Sequence, residues 1–167
     1  MASTDPKVIE DLKEAFAGES QANRKYLAFA EKAQKDNLAY AAKIFRAAAE
    51  AETIHAHSHL RLLAGIKSTP ENIGAAIEGE TFEFTKMYPG MLADAKAAGD
   101  KAAEHGFNLA NEAEKVHAEL FKKALANPGQ TPPKVYVCKI CGHVHEGDPP
   151  DKCPICGGQK QNYFEII

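Results

Sequence analysis

The chain has 167 residues, 44% hydrophobic and 26% charged, which is room for one ordinary domain, or for one domain plus a small metal-held one. A formal net charge of -3 leaves no basic footprint for nucleic acid, and no apolar run approaches the ~20 residues of a bilayer span. Residues 1–7 lack the apolar core of a signal peptide, so the cytoplasm is the expected compartment, with no nucleic acid and no membrane as partner.

Asp5-Pro6 is a helix-start signal, and Leu12, Phe16, Tyr26 and Ala30 recur at helical spacing up to about Lys35. Asp36-Asn37 breaks the pattern. A second helix follows, with Leu38, Ala41, Phe45 and Ala48 on its stripe, ending at Gly65. Ser68 and Glu71 form a capping box for a third helix running to about Ala98, with a kink expected at Pro89-Gly90. Gly99-Asp100 separates it from a fourth helix ending near Ala126. The domain reading is a four-helix bundle over 1–126, a linker over 127–133, and a β-rich metal domain over 134–167 that holds all four cysteines.

Carboxylates occupy stripe positions where leucines belong. Continuing the second helix by 3-4 steps from Ala48 lands on Glu52, His55 and His59; the fourth runs through Glu114 and His117. Glu19 sits on the first stripe, and Glu80 and Glu83 on the third. Ionised carboxylates on a core face are costly unless paired or bound to metal. Both Glu52-Thr-Ile-His55 and Glu114-Lys-Val-His117 are E-x-x-H, whose i, i+3 spacing puts both groups on one side of a helix. Glu19 precedes Glu52 by 33 residues and Glu80 precedes Glu114 by 34, with a turn near each midpoint. The four helices therefore read as two copies of one unit, and the four glutamates can meet in one layer. One Glu from each of two helices and E-x-x-H from each of the others is the ligand set of di-iron and di-manganese bundles. Glu83 is either a seventh ligand or an ordinary helical surface acid. His59 is either supporting or a satisfied histidine near a helix end, Tyr26 either bonds a ligating carboxylate or packs, and His57, His105, His143 and His145 read as surface residues.

Cys138-Lys-Ile-Cys141-Gly142 and Cys153-Pro-Ile-Cys156-Gly157 are two C-x-x-C-G knuckles eleven residues apart. They make a four-thiolate tetrahedral site for zinc or for a single iron. A redox iron there would give a di-iron oxidant its electron source, which zinc could not.

With these motifs in place, and with Gly18-Glu19-Ser20-Gln21-Ala22 and Glu80-Thr-Phe-Glu83 beside them, the chain resembles the rubrerythrin family over residues 5–167. The resemblance implies a mainly α, ferritin-like four-helix bundle followed by a small β-rich rubredoxin-like domain. It implies a di-iron site bridged by Glu52 and Glu114, one iron taking Glu19 with His55 or Glu83 and the other Glu80 and His117. Cys138, Cys141, Cys153 and Cys156 would hold a further iron, making three non-haem irons per chain, with zinc or manganese able to substitute. The implied activity is a peroxidase reducing hydrogen peroxide to water in oxidative stress protection, fed by an electron-donor protein or reductase; the alternative is a ferroxidase that handles iron. Only 27 residues separate Glu52 from Glu80, which fits either a plain hairpin turning near Gly65 or a third helix that continues into a partner. The resemblance favours the second, a homodimer with exchanged helices.

Overall fold

Asp5 starts the first helix as the sequence pattern predicts: its carboxylate accepts the backbone N–H of Val8 at 3.0 Å, and Pro6 occupies the first turn, where its missing N–H costs nothing. A computed structural model of the chain describes residues 4–167 and divides it into two compact units, one ending at Lys67 and one spanning Ser68–Ile167. No helix among the described residues is long and apolar enough to cross a membrane.

The first unit is a helical hairpin of α1 (Pro6–Lys35) and α2 (Ala39–Leu62). Asn37 reverses the chain in the left-handed region (φ 61°), and Leu38 N–H closes the turn on Ala33 O at 2.9 Å. Ala30, Ala33, Ala42, Ala49 and Ala56 line the buried seam, small enough to let the two backbones approach. Asn23, also buried, ties the helices together by donating from Nδ2 to Ala49 O (2.7 Å) and to Thr53 Oγ1 (2.8 Å). Tyr26 packs with Phe29 and Phe45, whose rings meet edge-on at 5.6 Å.

The second unit begins with α3 (Thr69–Phe82), opened by the expected Ser68–Glu71 capping box. A single π-helical turn, Glu83–Met87, leads into α4 (Tyr88–Ala98). The expected break at Pro89-Gly90 is thus not where the helix is disturbed. Pro89 sits in the first turn of α4, and the irregularity is taken up one turn earlier, where Tyr88 N–H bonds to Glu83 O five residues back. Gly99 (φ 69°) ends α4, and Asp100 caps α5 (Lys101–Ala126) by accepting from Ala102 and Ala103 N–H. α5 packs along both α3 and α4.

Beyond α5 lies a three-stranded antiparallel sheet in the order β2-β1-β3, from β1 (Val135–Cys138), β2 (Val144–Glu146) and β3 (Tyr163–Ile166). Its register sets Cys138 opposite Tyr163. Lys123 on α5 pairs with Glu146 on β2. Among the described residues, every fully buried apolar position in the helices is an alanine, while Ile44 and Ile54 of α2 are 50% and 66% exposed. Each helical unit by itself leaves its larger apolar side chains open to water.

Candidate metal centre

α1 and α2 bring Glu19, Glu52 and His55 together, with one donor atom from each within 4.8 Å of the others. α3 and α5 do the same with Glu80, Glu114 and His117. The two clusters have one geometry. His55 Nδ1 lies 3.0 Å from Glu52 and 3.9 Å from Glu19; His117 Nδ1 lies 2.6 Å from Glu114 and 3.8 Å from Glu80. In each, the i, i+3 pair meets on its own helix and the partner glutamate arrives from the neighbour. The clusters differ in exposure, with the His55 side chain 55% exposed and that of His117 21%.

Without a cation these carboxylates strain against one another. Glu19 is raised, first by the hydrogen bond it shares with Glu52 and then by burial, while Glu52 is lowered by the same bond and by His55. Burial and then Glu114 raise Glu80. Glu83 rises too, from burial and then the charge of Glu80. A metal ion relieves this crowding, and the mix of hard oxygen with imidazole suits iron or manganese. Glu83 stands at the start of the π turn, outside the three-donor cluster but near enough to feel Glu80 and His117. His59 Nδ1 is buried with no hydrogen-bond partner among the described residues, and its charge acts on Glu19.

The four cysteine sulfurs also lie within 4.8 Å of one another. Cys138 and Cys156 Sγ are 3.7 Å apart and Cys141 and Cys153 Sγ 3.5 Å, against the edge of about 3.8 Å for a tetrahedron with 2.3 Å metal–sulfur bonds. The cage fits a tetrahedral ion with little adjustment. Gly142 and Gly157 turn the knuckles at φ 78° and 71°, and their N–H groups close on Cys138 and Cys153 O at 2.9 Å each. Burial pushes the Cys141 thiol up. Although burial works the same way on Cys153, the N–H groups of Cys156 and Ile155 and the Tyr163 hydroxyl outweigh it and hold that thiol at about 6.

Three contacts and one buried tyrosine lie outside the motifs. His117 Nε2 donates to the carbonyl of Gly142 at 3.0 Å, which leaves Nδ1 facing the carboxylates. A helical-cluster histidine therefore touches the first cysteine knuckle directly. Tyr88 is held protonated by burial and then by the charges of Glu114, Glu83 and Glu80. His143, expected at the surface, is only 5% exposed; β-sheet closure brings Tyr163 to it, and Nδ1 and Oη lie 2.7 Å apart. Asn23, one turn from Glu19, braces the α1–α2 pair through Thr53, the neighbour of Glu52. Only Tyr88 carried a sequence signal, five residues after Glu83 on the same helical run.

Residues 10–125 match the rubrerythrin family model, and residues 136–165 match that of the rubrerythrin rubredoxin-like domain. The chain is 34% identical to Rubrerythrin-2 of Clostridium acetobutylicum, covering 98% of each. It is 35% identical to Nigerythrin of Nitratidesulfovibrio vulgaris, covering 93% of this chain and 84% of that one. Among solved structures, the partially reduced state of nigerythrin aligns over 95% of this chain and 86% of that chain, with a TM-score of 0.59 and 34% identity. A fully reduced, all-ferrous nigerythrin aligns with the same TM-score at 32% identity, over 98% and 89%.

Proposed function

We propose that this chain, which belongs to the rubrerythrin family of iron-dependent oxidoreductases, reduces hydrogen peroxide to water at a di-iron centre recharged through its four-cysteine iron. The observation that carries this reading is the 3.0 Å hydrogen bond from His117 to Gly142 O. It joins the helical cluster to the cysteine knuckle through one imidazole, where a storage protein would need no such link. When bound, a pair of ferrous ions supplies the two electrons that split the O–O bond.

The chain's own groups then divide the work. Glu19, Glu52 and His55 would hold one iron and Glu80, Glu114 and His117 the other, with Glu83 an alternative to His55. Neutral imidazole suits the ferrous state and an extra carboxylate the ferric one, so in this reading Glu83, which begins the π turn, would trade with His55. Tyr88, kept protonated by burial and by the charges of three glutamates, would be a proton donor to the oxygen that must leave as water. Cys138, Cys141, Cys153 and Cys156 would hold an iron that takes single electrons from a donor protein or reductase in the cytoplasm. In this reading residues 1–126 are the catalytic domain, 127–133 a linker and 134–167 the electron domain.

The working form in this proposal is a homodimer with exchanged helices. α2 has 24 residues, about 36 Å of helix. The seven Cα steps from Leu62 to Thr69 reach at most about 25 Å, too short to run back along a bundle and enter α3 parallel to α2. Exchange keeps the ferritin-like topology and covers the alanine-lined units' open apolar faces. Each site then draws Glu19, Glu52 and His55 from one protomer and the other ligands from its partner.

The test is an anaerobic titration of the fully reduced, iron-loaded protein. One peroxide should oxidise each di-iron site, much faster than oxygen does. Faster oxidation by oxygen than by peroxide would move the chain to the ferroxidase reading. In Cys141→Ser the first oxidation should survive and re-reduction by an external donor should fail.

A further inference from the structure

Among the described residues, two side-chain polar contacts join the cysteine module to α5. His117 Nε2 donates to Gly142 O at 3.0 Å, and Lys123 pairs with Glu146. Both partners lie on one short stretch of chain, since β2 (Val144–Glu146) begins two residues after Gly142. The two anchors on α5 are six residues apart in the sequence, or roughly 9 Å along the helix. β2 therefore runs alongside the last turns of α5, pinned near each end. Around the pins the seam is poorly filled. Cavities of about 630 and 370 Å³ flank it, and Leu120, Ala124 and Glu146 border both. Loose apolar packing of this kind does not fix an orientation, because few side chains interlock across it. The covalent tie is residues 127–133, which include Pro128, Pro132 and Pro133 and contain no helix or strand. On such a tether a single hydrogen bond is a pivot. A second contact about 9 Å away removes the swing about it.

We propose that the Lys123–Glu146 ion pair is a positioning latch. It holds the cysteine module in the orientation where Gly142 O meets His117, and thereby sets the rate at which electrons pass from that module to the helical site. This deepens the proposed function and rests on its electron relay. Each passage moves one electron: a ferrous ion in the cysteine cage becomes ferric, and a ferric ion in the helical site becomes ferrous. Two passages reset the helical site. Electron transfer falls steeply with separation, so a module swung away from His117 delivers electrons more slowly than one seated on it. Neither Lys123 nor Glu146 belongs to a donor cluster, so both can be changed without touching a metal ligand. Their side chains are 47% and 26% exposed, which leaves the pair open to salt and modest in strength. A modest latch is enough, because the linker already keeps the module close and the pair has only to choose its orientation.

The experiment reads the latch in two ways on the full-length protein. In the zinc-loaded, diamagnetic form the His117 Nε2 proton is followed by NMR, because its exchange with water requires the bond to Gly142 O to open. Lys123→Met should speed that exchange about two- to fivefold, the range for a partly exposed ion pair, and Lys123→Glu should speed it further. Glu146→Lys should act like Lys123→Glu, and the two reversals combined should bring the rate back close to that of the unaltered chain. In the iron-loaded form, stopped flow with one equivalent of peroxide should show an unchanged first oxidation in every variant. Re-reduction of the helical site from pre-reduced cysteine iron should slow in each single reversal and recover in the double one. Added salt should slow it where an attractive pair is present. Single reversals that leave proton exchange and re-reduction unchanged overturn the proposal, as does a double reversal that restores neither. A change in one readout without the other also overturns it. If a reversal takes up no metal, Lys123→Met and Glu146→Gln decide by the same proton, whose unchanged exchange overturns the latch. Re-reduction of the unaltered chain that bypasses the cysteine iron overturns the proposed function instead, and the proton exchange of the variants still decides the latch.

Discussion

Mixing two crippled chains gives a quantitative test of helix exchange. Glu52 belongs to the cluster built by α1 and α2, Glu114 to the cluster built by α3 and α5, and each carboxylate lies within reach of its own histidine, at 3.0 and 2.6 Å. A homodimer of Glu52→Ala chains has no complete site, and neither has one of Glu114→Ala chains. In a mixed dimer with exchanged helices, one site combines both lesions and the other combines neither. Random pairing of equal amounts makes half the dimers mixed, so about one quarter of all sites should be intact. Without exchange, every site takes both glutamates from one chain and none is intact. The assay is co-expression of the two chains under different tags, tandem purification of mixed dimers, and measurement of iron per chain with the peroxide-reactive fraction. The purified mixed dimer should react at about half its sites. Peroxide reactivity no higher than in either parent would refute exchange.

Glu83→Ala should retain helical-site iron, because the three-donor clusters do not include it, yet slow peroxide reduction by at least about tenfold, read by stopped flow. Asn23→Leu removes the two hydrogen bonds from α1 to Ala49 O and Thr53 Oγ1, and should cost about 1–3 kcal/mol of stability in urea unfolding of the metal-free protein. The raised Glu80 and Glu83 set the sign of the pH dependence. Their folded-state pKa values lie above the unfolded ones, so the stability they contribute to the metal-free protein is present at low pH and lost as pH rises through the raised range. Metal binding needs the carboxylates ionised and reverses that sign: cobalt loading of the helical site should fall as pH drops, at a higher pH than an ordinary glutamate would allow. Cobalt titrations monitored by absorption across that range check it, and a midpoint below the ordinary glutamate value would contradict it.

The donor clusters were legible in the sequence because they depend on local geometry. Glu52-His55 and Glu114-His117 share a helix face by i, i+3 spacing alone, and Glu19 and Glu80 meet them because each hairpin folds near its midpoint. The cysteine cage was legible for the same reason, each C-x-x-C-G being a turn that needs no distant partner. Helix starts at Pro6 and Ser68 and the break at Gly99 follow from the caps next to them. What the tertiary structure decided involves groups far apart in the chain. Antiparallel pairing of β1 with β3 carries Tyr163 across the sheet and buries His143, which by sequence looked like a surface residue. The π turn at Glu83–Met87 is a second case: Pro89 announces that the helix must yield, but the turn that yields precedes it and packs against α5. His117 finding Gly142 O is a third, spanning 25 residues. Spacing along a helix fixes which side chains share a face, whereas strand register and the docking of a knuckle on a helix are chosen by burial and by hydrogen bonds that no local segment can satisfy alone.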